Sequence, residues 1–286
     1  MEHITTIEGW RTYASAQRAL GRRVGLVPTM GALHEGHTSL FHAAAANADV
    51  VVATIFVNPR QFNDPDDLRA YPRTPERDHA TAETNGVDCL IEPSLDEMWP
   101  DSPNTATTVS VRGLGETLEG ADRPGHFDGV ASVVAKLLTI TGPCRVYFGE
   151  KDFQQLAVIR QMVRDLGFDA QVVGCPIVRD ERGLALSSRN VLLSDAGRSR
   201  ALALVRALGA AAASPASASE VRARLRAALD EADVAVAYAE VVDPLTLAPS
   251  RDGESGEGRA LVAGIIEGVR LIDNGPVTLT SGGPCC

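Results

Sequence analysis

Lysine is almost missing from this chain of 286 residues: Lys136 and Lys151 are the only two. Arginine carries the rest of the positive charge, and acidic side chains outnumber basic ones to give a formal net charge of −10. That balance argues against a nucleic-acid binder, which needs a basic face. It also means that any anionic ligand must be held in a locally positive pocket. A lysine kept against so strong an arginine bias points to a compact, mobile ammonium where a planar guanidinium does not fit. Lys136 falls in a long apolar helix pattern, where its stem can lie along apolar surface. Lys151 does not.

Paired cysteines are lacking too. Cys89, Cys144, Cys175, Cys285 and Cys286 show no C-x-x-C pattern and no histidine at metal spacing. An odd count without a framework suits a reducing cytosol. Glu2, Glu8 and Arg11 interrupt any signal-peptide core. The longest apolar region, around Ala43 to Val57, is broken by Asn47 and Asp49, so no membrane span is expected. Together these absences predict a soluble cytoplasmic protein. With 44% hydrophobic residues and no low-complexity block, the length suits one large domain or two modest ones.

What is present is organised around Val24 to Leu40, VGLVPTMGALHEGHTSL. An apolar run, a proline, two glycines and two histidines in that order predict a buried strand, a tight loop and a first helical turn. His34 and His37 stand three apart and share one face of such a turn. Unpaired N–H groups and the helix dipole attract anions there. Phosphate binding leads this reading. A purely structural role at the strand–helix junction comes second, and a metal pair third, because helical metal ligands usually stand four apart and a third ligand is needed.

Along the chain, Ile7 to Ala19 reads as a helix, Thr38 to Ala48 as another, and Val50 to Val57 as a second buried strand. Asn63 to Pro75 reads as a loop or lid, and Thr74-Pro75-Glu76 opens a helix that reaches Asn85-Gly86. Further segments are a third strand over Val87 to Glu92 and an edge strand over Thr105 to Val111. A helix over Gly129 to Thr141 leads to a strand at Arg145 to Phe148, a helix over Phe153 to Leu166 and a strand over Ala170 to Val178. Alternating strand and helix predict a doubly wound parallel sheet. After Val178 the pattern changes. A polar loop runs from Arg179 to Asn190, helices cover Ser194 to Ala213 and Glu220 to Glu231, and strands cover Val234 to Val242 and Ala260 to Ile272. The tail holding Cys285 and Cys286 is expected to fray.

Groups at the expected strand ends suit a nucleoside triphosphate. Gly149 lets the backbone approach, Lys151 supplies a movable charge, and Asp152 can accept from ribose hydroxyls. Ser187 and Ser188 beside Arg189 suit the β- and γ-phosphates. Gln61 and Gln155 offer uncharged amides, although Gln155 alone reads as an exposed helix residue.

His34-Glu35-Gly36-His37 is similar to the His-x-Gly-His signature of the nucleotidyltransferase superfamily. The longer Pro28-to-His37 string, FVNPRQF, GEKDFQQL from Gly149, LSSRN and the closing Arg270-Leu271-Ile272-Asp273-Asn274 resemble the pantothenate synthetase family. The likeness covers nearly the whole chain. It departs at Leu186, where methionine is usual, and in the stretch AGIIEGVRLIDN.

The resemblance implies a Rossmann-like α/β domain over residues 1–178 and a smaller α+β domain over 179–286 that closes over the site. It implies an ATP site at Met30, Gly31, Ala32, Leu33, His34, Glu35, Gly36, His37, Gly149, Glu150, Lys151, Asp152, Val178, Leu186, Ser187, Ser188 and Arg189. Gln61 would meet pantoate and β-alanine, and Gln155 pantoate. His34, His37 and Lys151 would stabilise charge during catalysis, His37 with a proton donor's role. The implied reaction joins (R)-pantoate and β-alanine through pantoyl-adenylate and releases AMP and pyrophosphate. Mg²⁺ would bridge the phosphates, and the protein would be a homodimer. The rivals are another nucleotidyltransferase, a non-catalytic ATP-binding module, and a metal-dependent hydrolase using the two histidines.

Overall fold

Val50–Ile55 is apolar at nearly every position, so as a strand it needs cover on both faces. The computed structural model, which describes residues 1–101 and 107–281, supplies that cover. The chain divides into two compact units: Met1–Glu150 with Gln154–Val178, and Lys151–Phe153 with the chain from Arg179 on. The first unit runs β1 (Glu2–Ile4), α1 (Ile7–Ala19), β2 (Val24–Thr29), α2 (Glu35–Ala45), β3 (Val50–Ile55), α3 (Pro65–Ala70) and α4 (Pro75–Thr84). It continues with β4 (Cys89–Ile91), α5 (Leu95–Met98), α6 (Glu119–Asp122), α7 (His126–Thr141), β5 (Cys144–Gly149), α8 (Phe153–Leu166) and β6 (Ala170–Cys175).

All six strands are parallel, in the order β1-β4-β3-β2-β5-β6. Alternate residues go to opposite faces. Val24, Leu26, Val50, Val52, Val146 and Phe148 pack with Trp10 of α1, Leu138 of α7 and Ile159 of α8. Val27, Val51, Ala53 and Tyr147 pack instead with Phe41 of α2 and Ala82 of α4. Each large aliphatic or aromatic side chain among these contributes roughly 1.5–3 kcal/mol on burial, so the central strands are the most firmly held. This is the doubly wound sheet that strand–helix alternation predicts. Its order reverses between β2 and β5, the topological switch point, where sheets of this class open a crevice at their carboxyl ends.

Asn63 to Pro75 is not a plain loop, since α3 lies within it. Asp64 accepts from the Asp66 N–H at 2.8 Å, and Pro65 opens the helix. An N-cap followed by proline is a helix start, and the density of polar residues obscures it. The third strand is three residues long rather than six, and α7 begins three residues before Gly129. Thr107–Val111 forms no strand, while Thr105, Ala106, Cys285 and Cys286 lie outside the described residues.

The second unit contains α9 (Asp195–Ala212), α10 (Ala218–Asp230) and an antiparallel sheet β7-β8-β9. The strands are β7 (Ala235–Val242), β8 (Gly256–Ile266) and β9 (Val269–Leu279). Leu204, Leu208, Val221 and Leu225 of the helices cover Val241, Val262 and Leu271 of the sheet. The expected strand Ala260 to Ile272 is therefore the two arms of a hairpin. Its turn is Glu267-Gly268, both at positive φ (53° and 79°), the geometry of a tight hairpin turn. Glutamate is an unusual first residue for that turn, and the apolar residues on each side hide the break.

Among the described residues Cys89, Cys144 and Cys175 are free thiols. Burial pushes the Cys89 and Cys144 thiols up to about 12 and raises Cys175. Lys136 donates to the Met98 carbonyl and sits 5.1 Å over the Trp99 ring, a structural position. Burial lowers its pKa. Among the described residues no helix is long and apolar enough to cross a membrane.

Helix α7 reaches the carboxyl end of β3 through Gly129. A Cβ there would stand 2.1 Å from the Arg60 carbonyl oxygen, in the 3₁₀ turn Pro59–Gln61. Gly129→Ala should force the turn and helix apart and cost at least about 1–3 kcal/mol. The midpoint of a urea melt reads this out, and an unchanged midpoint would show that the contact is slack.

Candidate active site

Strand β2 ends at Thr29, whose hydroxyl donates to the Thr54 carbonyl at 2.6 Å and accepts from the Gly31 N–H at 3.2 Å. The chain then turns through two left-handed residues, Gly31 (φ 81°) and Ala32 (φ 50°). For alanine that conformation costs about 1–2 kcal/mol, so something must hold it. The carboxylate of Asp78, on α4, accepts from the Ala32 N–H at 2.9 Å and the Leu33 N–H at 2.8 Å. Its Oδ1 also accepts from the Thr74 hydroxyl at 3.0 Å. Asp78 is 2% exposed, and these three bonds satisfy a buried charge that would otherwise be costly. A Cβ on Gly31 would come within 2.9 Å of the same carboxylate.

His34 is the N-cap of α2. Its Nδ1 accepts from the Gly36 N–H at 3.1 Å, and Nδ1 of His37 accepts from the His34 N–H at 3.3 Å. In a neutral imidazole one nitrogen accepts and the other carries the proton. Both rings are therefore set with Nε2 as the proton-bearing atom. Their centroids are 4.2 Å apart. The pair thus does structural work through Nδ1, as the second reading held, and it stands at a helix N-terminus, where anions are favoured.

Gln61 is held beside this loop. Its Nε2 donates to the Met30 sulfur at 3.1 Å, and its Oε1 accepts from Asn58 Nδ2 at 3.0 Å. Asn58, 1% exposed, also donates to the Gly129 carbonyl at 3.1 Å and accepts from Trp99 Nε1 at 3.1 Å. Nδ1 of His126 donates to the Gln61 carbonyl at 2.8 Å, and Arg123 reaches the same oxygen at 3.4 Å. Met30, Gln61 and the histidine loop are thus one rigid group. Sequence reasoning missed the residues that fix it, Asp78, Trp99, Arg123 and His126. Of these, Arg123 and His126 stand in the RPGHF string ahead of α7.

Gly149 closes β5, and Glu150 opens the 3₁₀ turn that follows. A Cβ on Gly149 would meet no atom within 4 Å. Gln155 is half-buried and makes no side-chain hydrogen bond among the described residues. Its neighbour Gln154 is the structural one, since it is buried and bonded to Leu114, Thr117 and Glu119. Val178 is half-buried.

Within the second unit the Lys151 ammonium lies 3.7 Å from Asp152, and its carbonyl accepts from Asn274 Nδ2 at 2.8 Å. Arg259 donates to Asn274 Oδ1 at 2.8 Å and stacks 4.4 Å over the Phe153 ring. Asp273, 3% exposed, takes a fork from Arg179 at 2.6 and 2.9 Å. Arg179 pairs with Ala185 by a β-bridge, so the expected polar loop folds back on itself. It then passes half-buried Leu186 into a 3₁₀ turn, Ser188–Leu192, in which Ser187 Oγ accepts from the Arg189 N–H at 3.3 Å. The closing Asp273-Asn274 pair therefore fastens two candidate segments, Lys151–Phe153 and the turn after Arg179.

A parallel sheet of this order, with a strand–loop–helix at its switch point, defines a Rossmann-like α/β protein. More narrowly, the chain belongs to the pantoate-β-alanine ligase family, whose sequence profile matches residues 2–276. It is 50% identical over 281 residues to the pantothenate synthetase of Cereibacter sphaeroides, covering 96% of this chain and 99% of that protein. The crystal structure of pantothenate synthetase from Thermus thermophilus superposes with a TM-score of 0.88 at 45% identity, over 96% of this chain and 98% of that one. A Francisella tularensis pantoate-β-alanine ligase complexed with β-γ ATP and β-alanine gives a TM-score of 0.80 at 32% identity, over 96% and 97% of the two chains.

Asp78→Ala would leave two loop N–H groups without their acceptor, at roughly 1–3 kcal/mol each if neither finds another partner. The expected result is a lower urea midpoint together with a raised KM for ATP. A destabilised variant with wild-type KM would mean that the loop keeps its shape without the carboxylate.

Proposed function

We propose that this ATP-dependent ligase joins pantoate to β-alanine around the His34–His37 loop, with the two rings held through Nδ1 at the N-terminus of α2 as the observation that carries the reading. The pantoate carboxylate attacks the α-phosphorus of ATP, the bond to the bridging oxygen breaks, and pyrophosphate leaves. The β-alanine amine then attacks the activated acyl carbon, loses a proton, and displaces AMP to give pantothenate. Neither step needs a protein nucleophile, so catalysis is alignment and charge stabilisation. His34 and His37 donate to phosphoryl oxygens, and Lys151 adds a mobile positive charge.

The remaining ATP contacts fall to Met30–Leu33, Glu35 and Gly36 with Gly149, Glu150, Asp152, Val178 and Leu186–Arg189. The open space at Gly149 supports close backbone approach. Gln61 takes the pantoate and β-alanine groups, and Gln155 the pantoate hydroxyl or carboxylate. Its lack of a side-chain partner, set against the fully bonded Gln154, supports that choice. Residues 179–286 act as the smaller domain that closes during the reaction.

Mg²⁺ enters as Mg–ATP, part of the substrate. The carboxylate at the histidine loop, Asp78, already accepts three hydrogen bonds, and Mg²⁺ commonly rides on substrate phosphates and water. We place the enzyme in the cytoplasm as a homodimer.

The decisive assay supplies ATP, pantoate and β-alanine and measures AMP and pantothenate. Pantoate-dependent exchange of pyrophosphate into ATP isolates the first step. Lys151→Ala should slow single-turnover adenylate formation roughly 10²–10³-fold with an unchanged melt. A near-wild-type rate would remove Lys151 from the mechanism, and a variant of His34 or His37 that lost only the amine step would contradict their assignment.

A further inference from the structure

His3 lies on β1, His79 on α4, and Glu92 one residue beyond β4. The fold brings them together. His3 pairs with Leu90 across the parallel β1–β4 ladder, and the Glu92 N–H donates to the Ile4 carbonyl at 2.8 Å. Helix α4 is fixed by Ala82 and Asp78, both buried. Nε2 of His3 and Nε2 of His79 approach one oxygen of Glu92, at 3.1 and 2.8 Å. The two rings meet edge to face with centroids 4.9 Å apart, and the three ligand atoms lie within 4.8 Å of one another. Among the described residues no other group of three His, Cys, Asp or Glu side chains converges in this way.

We propose that His3, His79 and Glu92 form a binding site for a divalent transition metal of the Zn²⁺ and Co²⁺ class. Two imidazole nitrogens and one carboxylate oxygen suit such ions rather than Mg²⁺ or Ca²⁺, which prefer oxygen ligands throughout. Bonds of about 2.0–2.2 Å from each atom to a common centre require only small rotations. The side chains can make them, being 42%, 36% and 29% exposed. Each neutral ring shifts to its Nδ1–H tautomer and turns Nε2 to the ion, and water completes the coordination. The bland reading is a hydrogen-bonded triad in which the carboxylate simply accepts from both rings. Three ligand atoms from three separate elements, each on a backbone held by the same fold, make a site that needs little ordering to bind.

The ion would also clamp α4 to the β1–β4 edge. Asp78, next to His79 on that helix, holds the turn at Ala32 and Leu33. The site is therefore expected to stabilise the part of the fold on which the histidine loop rests.

The test titrates EDTA-stripped, reduced protein with Co²⁺ and reads the d–d absorption bands, with the melting temperature measured in parallel. The expected result is saturable one-to-one binding without thiolate charge-transfer absorption and with a raised melting temperature. In His3→Ala, His79→Ala and Glu92→Gln, affinity should fall at least tenfold and the temperature shift should vanish. His3→Ala, on an exposed edge position, controls for folding, because its metal-free melting temperature should match that of the wild type. Binding that survives the His3→Ala/His79→Ala double variant, a thiolate band, or no binding below millimolar Co²⁺ would each overturn the proposal.

Discussion

One carboxylate carries the geometry of this site. Asp78 accepts from the backbone at Ala32 and Leu33, and these bonds offset the left-handed turn that brings β2 into α2. The turn decides where α2 starts. That start places His34 at the N-cap and His37 one turn on, with Nδ1 of each ring accepting from a backbone N–H. The left-handed turn, the helix cap and the ring orientations thus rest on a single buried acid on a neighbouring helix. An acid buried in an apolar unit is stable only when its oxygens are filled, so the same bonds that shape the loop also make Asp78 tolerable. The dependence runs in both directions.

A second constraint is steric. Gly129 lets α7 touch the turn that follows β3, and Asn58 bridges the two with hydrogen bonds to Gly129 and Gln61. Gln61 consequently has its amide, its carbonyl and its backbone neighbours all fixed before any ligand arrives. Preorganisation of this kind is what an alignment mechanism needs, because it lowers the ordering cost at the moment of reaction. In the second unit Asp273 and Asn274 do comparable work for the Arg179 turn and the Lys151 backbone. The closing string of the sequence therefore acts at a distance along the chain.

How much of this was legible follows from the physics of each feature. The parallel sheet was readable because β2, β3 and β5 are apolar at both parities, and because α1 and α8 have clean helical spacing that matches their boundaries. The hairpin at Glu267-Gly268 was not, since its turn lacks the usual asparagine or aspartate and apolar residues run up to it on both sides. Helix α3 went unread although Asp64-Pro65 marked it, because its short length and acidity also fit a loop. The histidine pair stood out by local spacing alone. Asp78, Trp99, Arg123 and His126 did not, because their roles are long-range hydrogen bonds, and no local pattern distinguishes an aspartate that caps a distant loop from one on a wet helix face. The family likeness supplied candidate contacts but not the residues that hold them in place.

The acidic balance of the chain sharpens the electrostatic argument. A protein with a formal net charge of −10 and two lysines cannot attract a triphosphate by bulk field. It has to present donors that are strong locally and cost little elsewhere. Imidazoles whose Nδ1 atoms are engaged by backbone N–H groups, at the start of α2, suit that need. The helix N-terminus adds partial charge that needs no counterion. Lys136 shows the alternative fate of a lysine here, sheltered against Trp99 and the Met98 carbonyl with its charge disfavoured by burial. Lys151 sits instead beside Asp152, its ammonium 3.7 Å from that carboxylate. The two lysines thus lie in different surroundings, one against an aromatic ring and a carbonyl, the other against a carboxylate.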